Sequence, residues 1–375
     1  MNIAYFSNQF ASAAGHGIAH YAHRLHEGLR HFADINAIPV ATWSNRQPSE
    51  LLKLRQETGL KLLPWGRKLT PAVWTFTNAP PIERWLNQPI DITHMVALGM
   101  PVATRKKLVV TIHDIGPLTH PEYFVSQKPW LVKRSFEHTI KYANKIICVS
   151  KATADDVIDY AGESLSKRIR VVHEGVDANF FSQSPLNPYE VLEKMPPKHT
   201  PFFMAAGAMS PRKNIKRVLK AFNQAKDSIP HHLVLVGGQG WDSTEVLQML
   251  EEPTLAQRVH HLGYVSDRQL QALYKHADFY IHPSLFEGFG LTVLEAMAAG
   301  CPVITSNISS LPEVAGDAAL LVNPTSISDI SNAIESLAQD SELKTELTKR
   351  GLSRAQVFQW SKTAQGVADI YREVG

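Results

Sequence analysis

Short apolar runs alternate with longer segments of helical spacing along most of the chain. The runs are rich in β-branched residues and lie at 2–6, 36–41, 92–97, 108–112, 145–149, 169–172, 202–206, 232–236, 278–282 and 302–305. Apolar runs of this length, separated by helix-length segments, are typical of buried parallel strands in βαβ units. The pattern therefore predicts an α/β protein with parallel sheets.

Proline interrupts this alternation at 181–200, where four prolines stand among serine and asparagine residues. Such a cluster predicts a linker. At 375 residues the chain is also longer than one hydrophobic core usually supports. We therefore expect two α/β domains of similar size, residues 1–185 and residues 198–359, joined near residue 190.

Composition narrows the class of protein. Apolar residues make up 44% and charged residues 19% of the chain, which excludes a disordered or fibrous protein. No apolar run approaches the roughly 20 residues that span a bilayer, and residues 1–10 lack signal-peptide features. Cys148 and Cys301 are too few for a disulfide framework or a cysteine-rich metal site. We expect a cytoplasmic protein with reduced thiols.

Basic residues are concentrated in the first half of the chain. Residues 46–145 contain 15 Lys and Arg against 7 Asp and Glu, although the net charge of the whole chain is only +3. One interpretation is a solvated basic face, and the other is a surface that meets an anionic partner such as lipid headgroups or a pyrophosphate. Nucleic acid is not expected as a partner, because no run interleaves basic and aromatic residues.

The segment at 282–303 contains the most informative pattern. A loop with Glu287, Gly288 and Gly290 follows a predicted strand, and a helix is predicted to begin near Leu291. The glycines let a ligand approach the backbone, and the N–H groups of Gly290, Leu291 and Thr292 at a helix N-terminus suit a phosphate. The segment therefore predicts an anion site.

Two glutamates, Glu287 and Glu295, flank this predicted anion site at different depths. One is placed to face a sugar beyond the phosphates and the other a ribose on the near side. The alternative is a helix glutamate that complements the helix dipole together with a solvated loop glutamate. The glycine pair and the strand–loop–helix setting favour the binding role.

A second candidate follows the strand predicted at 202–206. Residues 207–214 read GAMSPRKN and place Arg212 and Lys213 just before an amphipathic helix. Arginine offers a planar fork for phosphate and lysine a point charge, so the pair is suited to neutralise a leaving diphosphate. Basic pairs beside helices are also common on protein surfaces.

Weaker candidates follow other predicted strands. His113 comes directly after the strand predicted at 108–112. It is interpreted either as a group that binds a sugar or carries a proton, or as a structural histidine. Gly15, His16 and Gly17 follow the first strand without the third glycine of a dinucleotide fingerprint. This loop either contacts an acceptor or a phosphate, or is a flexible turn.

The segment at 262–267, LGYVSD, follows a further strand, and its backbone at Tyr264 and Val265 can present a peptide edge to a nucleobase. A simple turn into the next helix is the alternative. The sequence contains no Walker A, HExxH, CxxC or Asp-x-Asp pattern, and its histidines are scattered. No metal site is therefore expected.

The spacing of Glu287 and Glu295, with PSLFEGFG at the first and AMAAGCPVI after the second, resembles the signature of the retaining, nucleotide-sugar-dependent glycosyltransferases of family four. The 207–214 segment resembles a variant found in mannosyl- and rhamnosyltransferases of bacterial polysaccharide assembly. Segments at 111–124, 149–157 and 173–177 match in kind. Ala208 and Thr292 depart from the pattern, because many members have Arg and Pro there.

The resemblance implies the GT-B fold, in which two Rossmann-like domains face each other across a cleft and a C-terminal helix, here 360–375, returns to the first domain. It also implies roles for the candidate residues. Arg212 and Lys213 would hold the diphosphate beside Gly207, Gly290 and the N–H groups of Leu291 and Thr292, with Glu295 on the ribose and Tyr264 and Val265 framing the base. Glu287 would contact the transferred sugar, and His113 would line the sugar pocket near the acceptor.

The implied reaction moves a hexose, expected to be mannose from GDP-mannose, to a glycan or lipid-linked acceptor without a metal or other cofactor. Retention of the anomeric configuration is expected, with the protein cytoplasmic and peripheral at the inner face of an anionic membrane. Two alternatives stay open. One is a nucleotide-sugar epimerase or hydrolase on the same scaffold, and the other is a non-catalytic partner in polysaccharide assembly.

Overall fold

The computed structural model describes residues 1–13, 17–99, 101–124, 129–182 and 186–375, without the side chains of residues 67, 68 and 71. These described residues divide into two compact units. The first unit comprises Met1–Pro121, Ser126–Gly175 and Gln359–Gly375, and the second comprises Glu122–Val125 and Val176–Phe358. Described residues 122–124 and 176–182 thus belong to the second unit rather than to the expected domain 1–185.

A seven-stranded sheet forms the centre of the first unit, with the order β3-β2-β1-β4-β5-β6-β7 and parallel pairing throughout. Its strands are β1 Asn2–Phe6, β2 Asn36–Ala41, β3 Lys61–Leu62, β4 Ile92–Met95, β5 Lys107–Ile112, β6 Lys145–Cys148 and β7 Ile169–Val171. The predicted parallel strands are confirmed here. β3 was not expected, because two residues are too few to show a periodicity.

Helices connect these strands. They are α1 Gly17–Leu29, α2 Pro48–Thr58, α3 Gly66–Thr77, α4 Gly116–Thr119, α5 Pro129–Tyr142 and α6 Lys151–Ala161, with 3₁₀ turns at Ile82–Trp85, Pro121–Tyr123 and Glu163–Arg168. α6 shows why such a helix starts where it does. The hydroxyl of Ser150 accepts the backbone N–H of Thr153, which satisfies one of the open N–H groups of the first turn.

The second unit repeats the arrangement with a six-stranded parallel sheet in the order β10-β9-β8-β11-β12-β13. Its strands are β8 Phe202–Ala206, β9 His232–Val236, β10 Val259–Gly263, β11 Tyr280–His282, β12 Val303–Ser306 and β13 Leu320–Val322. The prediction of two Rossmann-like α/β domains is confirmed. In such sheets ligands bind beyond the carboxyl ends of the strands where the order reverses. That point lies between β8 and β11 here.

The remaining elements of the second unit are α7 Pro188–Val191, α8 Ile215–Ala225, α9 Thr244–Glu251, α10 Pro253–Ala256, α11 Asp267–His276, α12 Leu291–Ala298, α13 Leu311–Ala315, α14 Ile327–Gln339 and α15 Ser341–Ala355, with 3₁₀ turns at Ala178–Phe181 and Pro211–Lys213. α8 buries Ile215, Val218, Leu219 and Phe222, a spacing that turns one face to the core. Gly300 follows α12 with φ 78°, in the left-handed conformation that often ends a helix.

The C-terminal helix α16, Trp360–Val374, packs on α1 within the first unit. A Cβ on Gly28 of α1 would lie 2.7 Å from the Cβ of Ala364, so the glycine permits the close approach of the two helices. The hydroxyl of Tyr371 lies 2.6 Å from Nδ1 of the buried His94 on β4. The helix is therefore joined to the sheet by both packing and a hydrogen bond.

Candidate functional site

The loop after β8 carries the predicted basic pair. Arg212 and Lys213 lie on the 3₁₀ turn Pro211–Lys213, which ends at Asn214 with φ 60°. The side-chain amide of Asn214 donates to the carbonyls of Pro283 and Pro324, at 2.8 and 2.7 Å. The bond to Pro283 fixes the basic turn to the loop that follows β11, and the bond to Pro324 fixes it to the loop that follows β13. Both predicted binding segments therefore meet where the strand order reverses.

Glu287 joins the two segments. Its carboxylate accepts from Arg212, and it accepts from Lys213 at 2.6 Å, from the hydroxyl of Ser284 at 2.7 Å and from His282 at 3.0 Å. The residue is only 8% exposed. Three of these donors, Lys213, Ser284 and His282, contact Oε1, whereas only Arg212 contacts Oε2, so Oε1 is fully occupied and Oε2 can accept a further hydrogen bond. The structure thus pairs Glu287 with the cations that the sequence assigned to the diphosphate.

Burial and charge act in opposite directions on this cluster. Burial alone would raise the pKa of the Glu287 carboxyl, but the charges of Arg212 and Lys213 outweigh burial and hold that pKa well below its usual range. Burial lowers the pKa of Lys213, although Glu287 opposes the shift. Arg212, Lys213 and Glu287 together leave one net positive charge, which suits the binding of a further anion.

The second part of the predicted anion site is the start of α12. Gly290 precedes it with φ 116°, and a Cβ at this position would lie 2.8 Å from Cδ2 of Leu311. The hydroxyl of Ser310 donates to the carbonyls of Glu287 and Phe289, at 2.9 and 2.8 Å, and so holds the loop in front of the helix. An eight-residue helix therefore directs its N-terminus to the same strand ends as the basic pair.

The other predicted residues of the second unit differ in their placement. Glu295 of α12 is half-buried, and its charge contributes to raising the pKa of Lys213, which places it beside the cluster. Gly207 has φ 139° and faces the aliphatic chain of Lys213, because a Cβ added to this glycine would lie 3.2 Å from Cε. Tyr264 is 79% exposed at the end of the edge strand β10, whereas Val265 is buried. The base contact of these two residues stays a prediction.

In the first unit His113 follows β5 as expected. Its Nδ1 donates to Oε1 of Glu174 at 2.9 Å, and its Nε2 lies 3.2 Å from the carbonyl of Val96. The ring of Tyr21 packs edge-on against it, with the ring centroids 4.6 Å apart. His113 and Glu174 thus form a buried pair of fixed orientation. Of the predicted loop residues, Gly17 is exposed at the start of α1, and Gly15 and His16 lie outside the described residues.

Three of these functional side chains were not chosen from the sequence: Glu174, His282 and Ser284. All three lie within the motif segments at 173–177 and 282–303. The signal available for them was their place at the end of a strand or within three residues after it. Strand alternation also places Tyr280 and His282 on one face of β11, because they are two residues apart.

Within the described ranges, no group of three or more His, Cys, Asp or Glu side chains is arranged to hold a metal ion. Among those same residues, no helix is long and apolar enough to cross a membrane. Cys148 and Cys301 are both buried as free thiols.

Comparisons with known proteins identify the family of this chain. The family described as "Glycosyltransferase Family 4" matches residues 15–180, and "Glycosyl transferases group 1" matches residues 193–354. O-antigen chain mannosyltransferase B of Escherichia coli is 32% identical over 272 residues, which cover 71% of this chain and 70% of that protein. The serotype-specific mannosyltransferase WbdA of Escherichia coli is 28% identical, and the match covers 69% of this chain but 32% of WbdA.

Among solved structures, Anabaena Alr3699/HepE in complex with UDP and glucose superposes with a TM-score of 0.76 at 18% identity, with 100% of both chains covered. WaaG, a glycosyltransferase involved in lipopolysaccharide biosynthesis, superposes with a TM-score of 0.72 at 15% identity, with 98% of both chains covered. At these identities the likeness shows a shared fold.

Proposed function

Because this chain belongs to the glycosyltransferases of group 1 and family 4, we propose that it moves mannose from a nucleoside diphosphate donor to a glycan or lipid-linked saccharide in polysaccharide assembly. The names of its relatives support mannose and an O-antigen type of acceptor. The observation that carries the proposal is the joining of Arg212, Lys213 and Glu287 beside the N-terminus of α12, where the strand order of the second sheet reverses.

The proposed reaction breaks the bond between the anomeric carbon and a diphosphate oxygen, and forms a bond from that carbon to an acceptor hydroxyl oxygen on the same face. The departing phosphate takes the proton of the hydroxyl. Arg212, Lys213 and the α12 dipole stabilise the charge that develops on the leaving group. The pairing of Glu287 with two cations and two further donors supports a same-face attack over a covalent intermediate on this residue, because a charge-paired carboxylate is a poor nucleophile.

We assign Glu295 to the ribose and Tyr264 with Val265 to the base, as the family resemblance implies. A sugar contact by Glu287 is proposed only through Oε2, because Oε1 already accepts three hydrogen bonds. We therefore propose that Glu287 acts chiefly by holding the two cations. The His113–Glu174 pair in the first unit is assigned to the acceptor.

The reaction is proposed to need no metal, since fixed cations do the work that a divalent ion does elsewhere. A chelator such as EDTA is then expected to leave turnover within about twofold of its value without chelator, and a strict requirement for Mg²⁺ would contradict the charge assignment. Guanosine is proposed as the base. A thermal-shift screen of nucleotide sugars, with GDP-mannose expected to stabilise most, tests this choice.

We also propose that the first unit contacts an anionic membrane through α3 and α5. Trp65, Phe76 and Trp130 are 46%, 62% and 58% exposed on these helices or at their ends, and the guanidinium of Arg134 lies 5.2 Å from the ring centre of Phe76. Exposed aromatic rings beside cations suit the interface of an anionic bilayer.

Sedimentation with phosphatidylglycerol vesicles tests the membrane contact. Binding is expected to fall at high salt and in a Phe76→Ser, Trp130→Ser double variant. Leu321→Ser, at an exposed apolar position of the second unit, serves as the control and is expected to bind normally. Equal binding to neutral phosphatidylcholine vesicles would contradict the electrostatic part of the proposal.

The transferase itself is tested with labelled nucleotide sugars, with and without a lipid-linked glycan acceptor. Acceptor-dependent release of nucleotide is expected, and Arg212→Ala or Lys213→Ala should slow it by about 10²–10³-fold. Lys216→Ala is the matched control, since Lys216 pairs with Glu245 on the exposed surface of α8. Interconversion of the nucleotide sugar without acceptor would instead indicate an epimerase or hydrolase, and silence with all nucleotide sugars a non-catalytic role.

A further inference from the structure

A buried chain of hydrogen bonds continues behind the anion site. Nδ1 of His282 lies 2.9 Å from the hydroxyl of Tyr280, and its Nε2 lies 3.0 Å from Oε1 of Glu287. Tyr280 is 0% and His282 3% exposed. Their rings stack with centroids 5.7 Å apart and planes 26° apart on β11, so both positions are fixed by the sheet.

The chemistry of the partners fixes the tautomer of His282. An ionised carboxylate only accepts hydrogen bonds, so Nε2 must carry the proton that is donated to Glu287. Nδ1 of the neutral ring then accepts from Tyr280, whose hydroxyl also lies 3.4 Å from the carbonyl of Ala206 and makes side-chain hydrogen bonds with Thr292 and Tyr274. Burial, with the charge of Lys213 second, lowers the pKa of His282, in accord with a neutral ring.

Glu287 is held from two sides. His282 and Ser284 donate from the strand end and the residues directly after it, and Lys213 and Arg212 donate from the basic turn. The strand-end donors belong to the rigid side, because β11 pairs with both β8 and β12. The position of the carboxylate relative to the sheet therefore determines where the two cations lie.

We propose that His282, held in one tautomer by Tyr280, is a positioning residue that fixes Glu287 and through it the two cations that meet the leaving diphosphate. This inference rests on the proposed transferase function. Displacing a cation removes more stabilisation from the transition state, where charge develops on the leaving group, than from the ground-state complex. Loss of His282 should therefore lower kcat more than it raises the KM of the nucleotide sugar.

The test compares four variants of the full chain. His282→Leu removes the donor, whereas His282→Gln can place an amide N–H near the position of Nε2. Tyr280→Phe removes the hydroxyl that selects the tautomer, together with its bonds to Ala206, Thr292 and Tyr274. Phe279→Leu is the control, because Phe279 is a buried neighbour that stacks on Phe203 outside the hydrogen-bonded chain.

With the nucleotide sugar that the wild type uses, His282→Leu is expected to lower kcat by about 10–100-fold, the usual effect of losing such a supporting partner, while KM changes less than about threefold. His282→Gln should recover most of this loss. Tyr280→Phe should lower kcat by about 2–10-fold, as for one neutral hydrogen bond. The control should keep the wild-type kcat at a temperature where it is folded.

Several results would overturn the inference: wild-type kcat in His282→Leu, an equal loss in His282→Gln, or an equal loss in the control at matched stability. If His282→Leu does not fold, the inference is tested by comparing kcat of Tyr280→Phe with kcat of His282→Gln. A wild-type kcat in Tyr280→Phe would then overturn the role of the tautomer. ¹⁵N NMR of labelled histidine adds a direct readout, with an Nε2–H ring expected and an Nδ1–H ring contradictory. A wild type that uses no nucleotide sugar removes the proposed function itself, whereas unaltered variants of an active enzyme remove only this inference.

Discussion

Replacing Glu287 by glutamine tests the central cluster most directly, because it removes one negative charge while keeping the shape. Side-chain exposure is 10% for Glu287, 23% for Arg212 and 15% for Lys213, so solvent screens the pair weakly. Removing one partner of a buried ion pair usually costs about 3–5 kcal/mol. We expect Glu287→Gln to destabilise the second unit by about that amount.

The same change should strengthen the binding of an anion. The cluster passes from one to two net positive charges, and one extra unit charge about 5 Å away contributes about 3 kcal/mol at an effective dielectric constant of about 20. Some of this attraction is lost because the released cations become less ordered. We expect pyrophosphate to bind at least about 10-fold more tightly to the variant. Turnover should nevertheless fall by about 10²-fold, since the cations are no longer held where charge develops.

Hydrogen exchange of peptides from the second unit measures the loss of stability, and calorimetric titration measures the binding of pyrophosphate. Glu245→Gln is the control, because Glu245 pairs with Lys216 on the exposed surface and should change neither quantity. A Glu287→Gln variant with wild-type stability and unchanged affinity for pyrophosphate would refute the reasoning.

Three further predictions follow from other features. Lys213→Arg should move the fall of kcat/KM at alkaline pH to higher pH. Burial lowers the pKa of Lys213 below 10.5, so the wild type loses this charge at a lower pH than an arginine would. An unchanged alkaline part of the pH profile would contradict the prediction. Burial lowers the pKa of His94 from 6.5 to about 3. Between these pH values the unfolded chain binds a proton at this histidine and the folded chain does not. The first unit should therefore lose up to about 5 kcal/mol of stability as pH falls from 6.5 towards 3. In urea unfolding, the free energy of unfolding should depend less on pH in His94→Gln than in the wild type. The same slope of this free energy against pH in both proteins would contradict the prediction. Gly290→Ala should lose about 1–3 kcal/mol more stability than Gly263→Ala. Of these two positions, only Gly290 would place a Cβ against a side chain, 2.8 Å from Leu311. Equal losses of stability in thermal unfolding would argue against this contact.

The sequence alone determined most of the local structure and the chemistry available to it. Apolar runs located β1, β2, β8 and β9 with the bounds that the structure has, because a buried parallel strand needs a continuous apolar segment. The GAMSPRKN and FEGFG segments identified the basic pair and the start of α12 for a similar reason. Glycines, cations and a helix N-terminus close together in sequence keep their chemical meaning wherever the chain places them.

The tertiary structure decided which of these groups meet. Arg212 and Glu287 are 75 residues apart and His113 and Glu174 are 61 apart, so no local pattern shows that either pair is in contact. The strand order brings the carboxyl ends of β8 and β11 together, and that order depends on the packing of the whole sheet. Only then does Glu287 become the partner of two cations, because Arg212 and Lys213, whose charges lower its pKa, are distant in the sequence. Its other two donors, His282 and Ser284, are only five and three residues away.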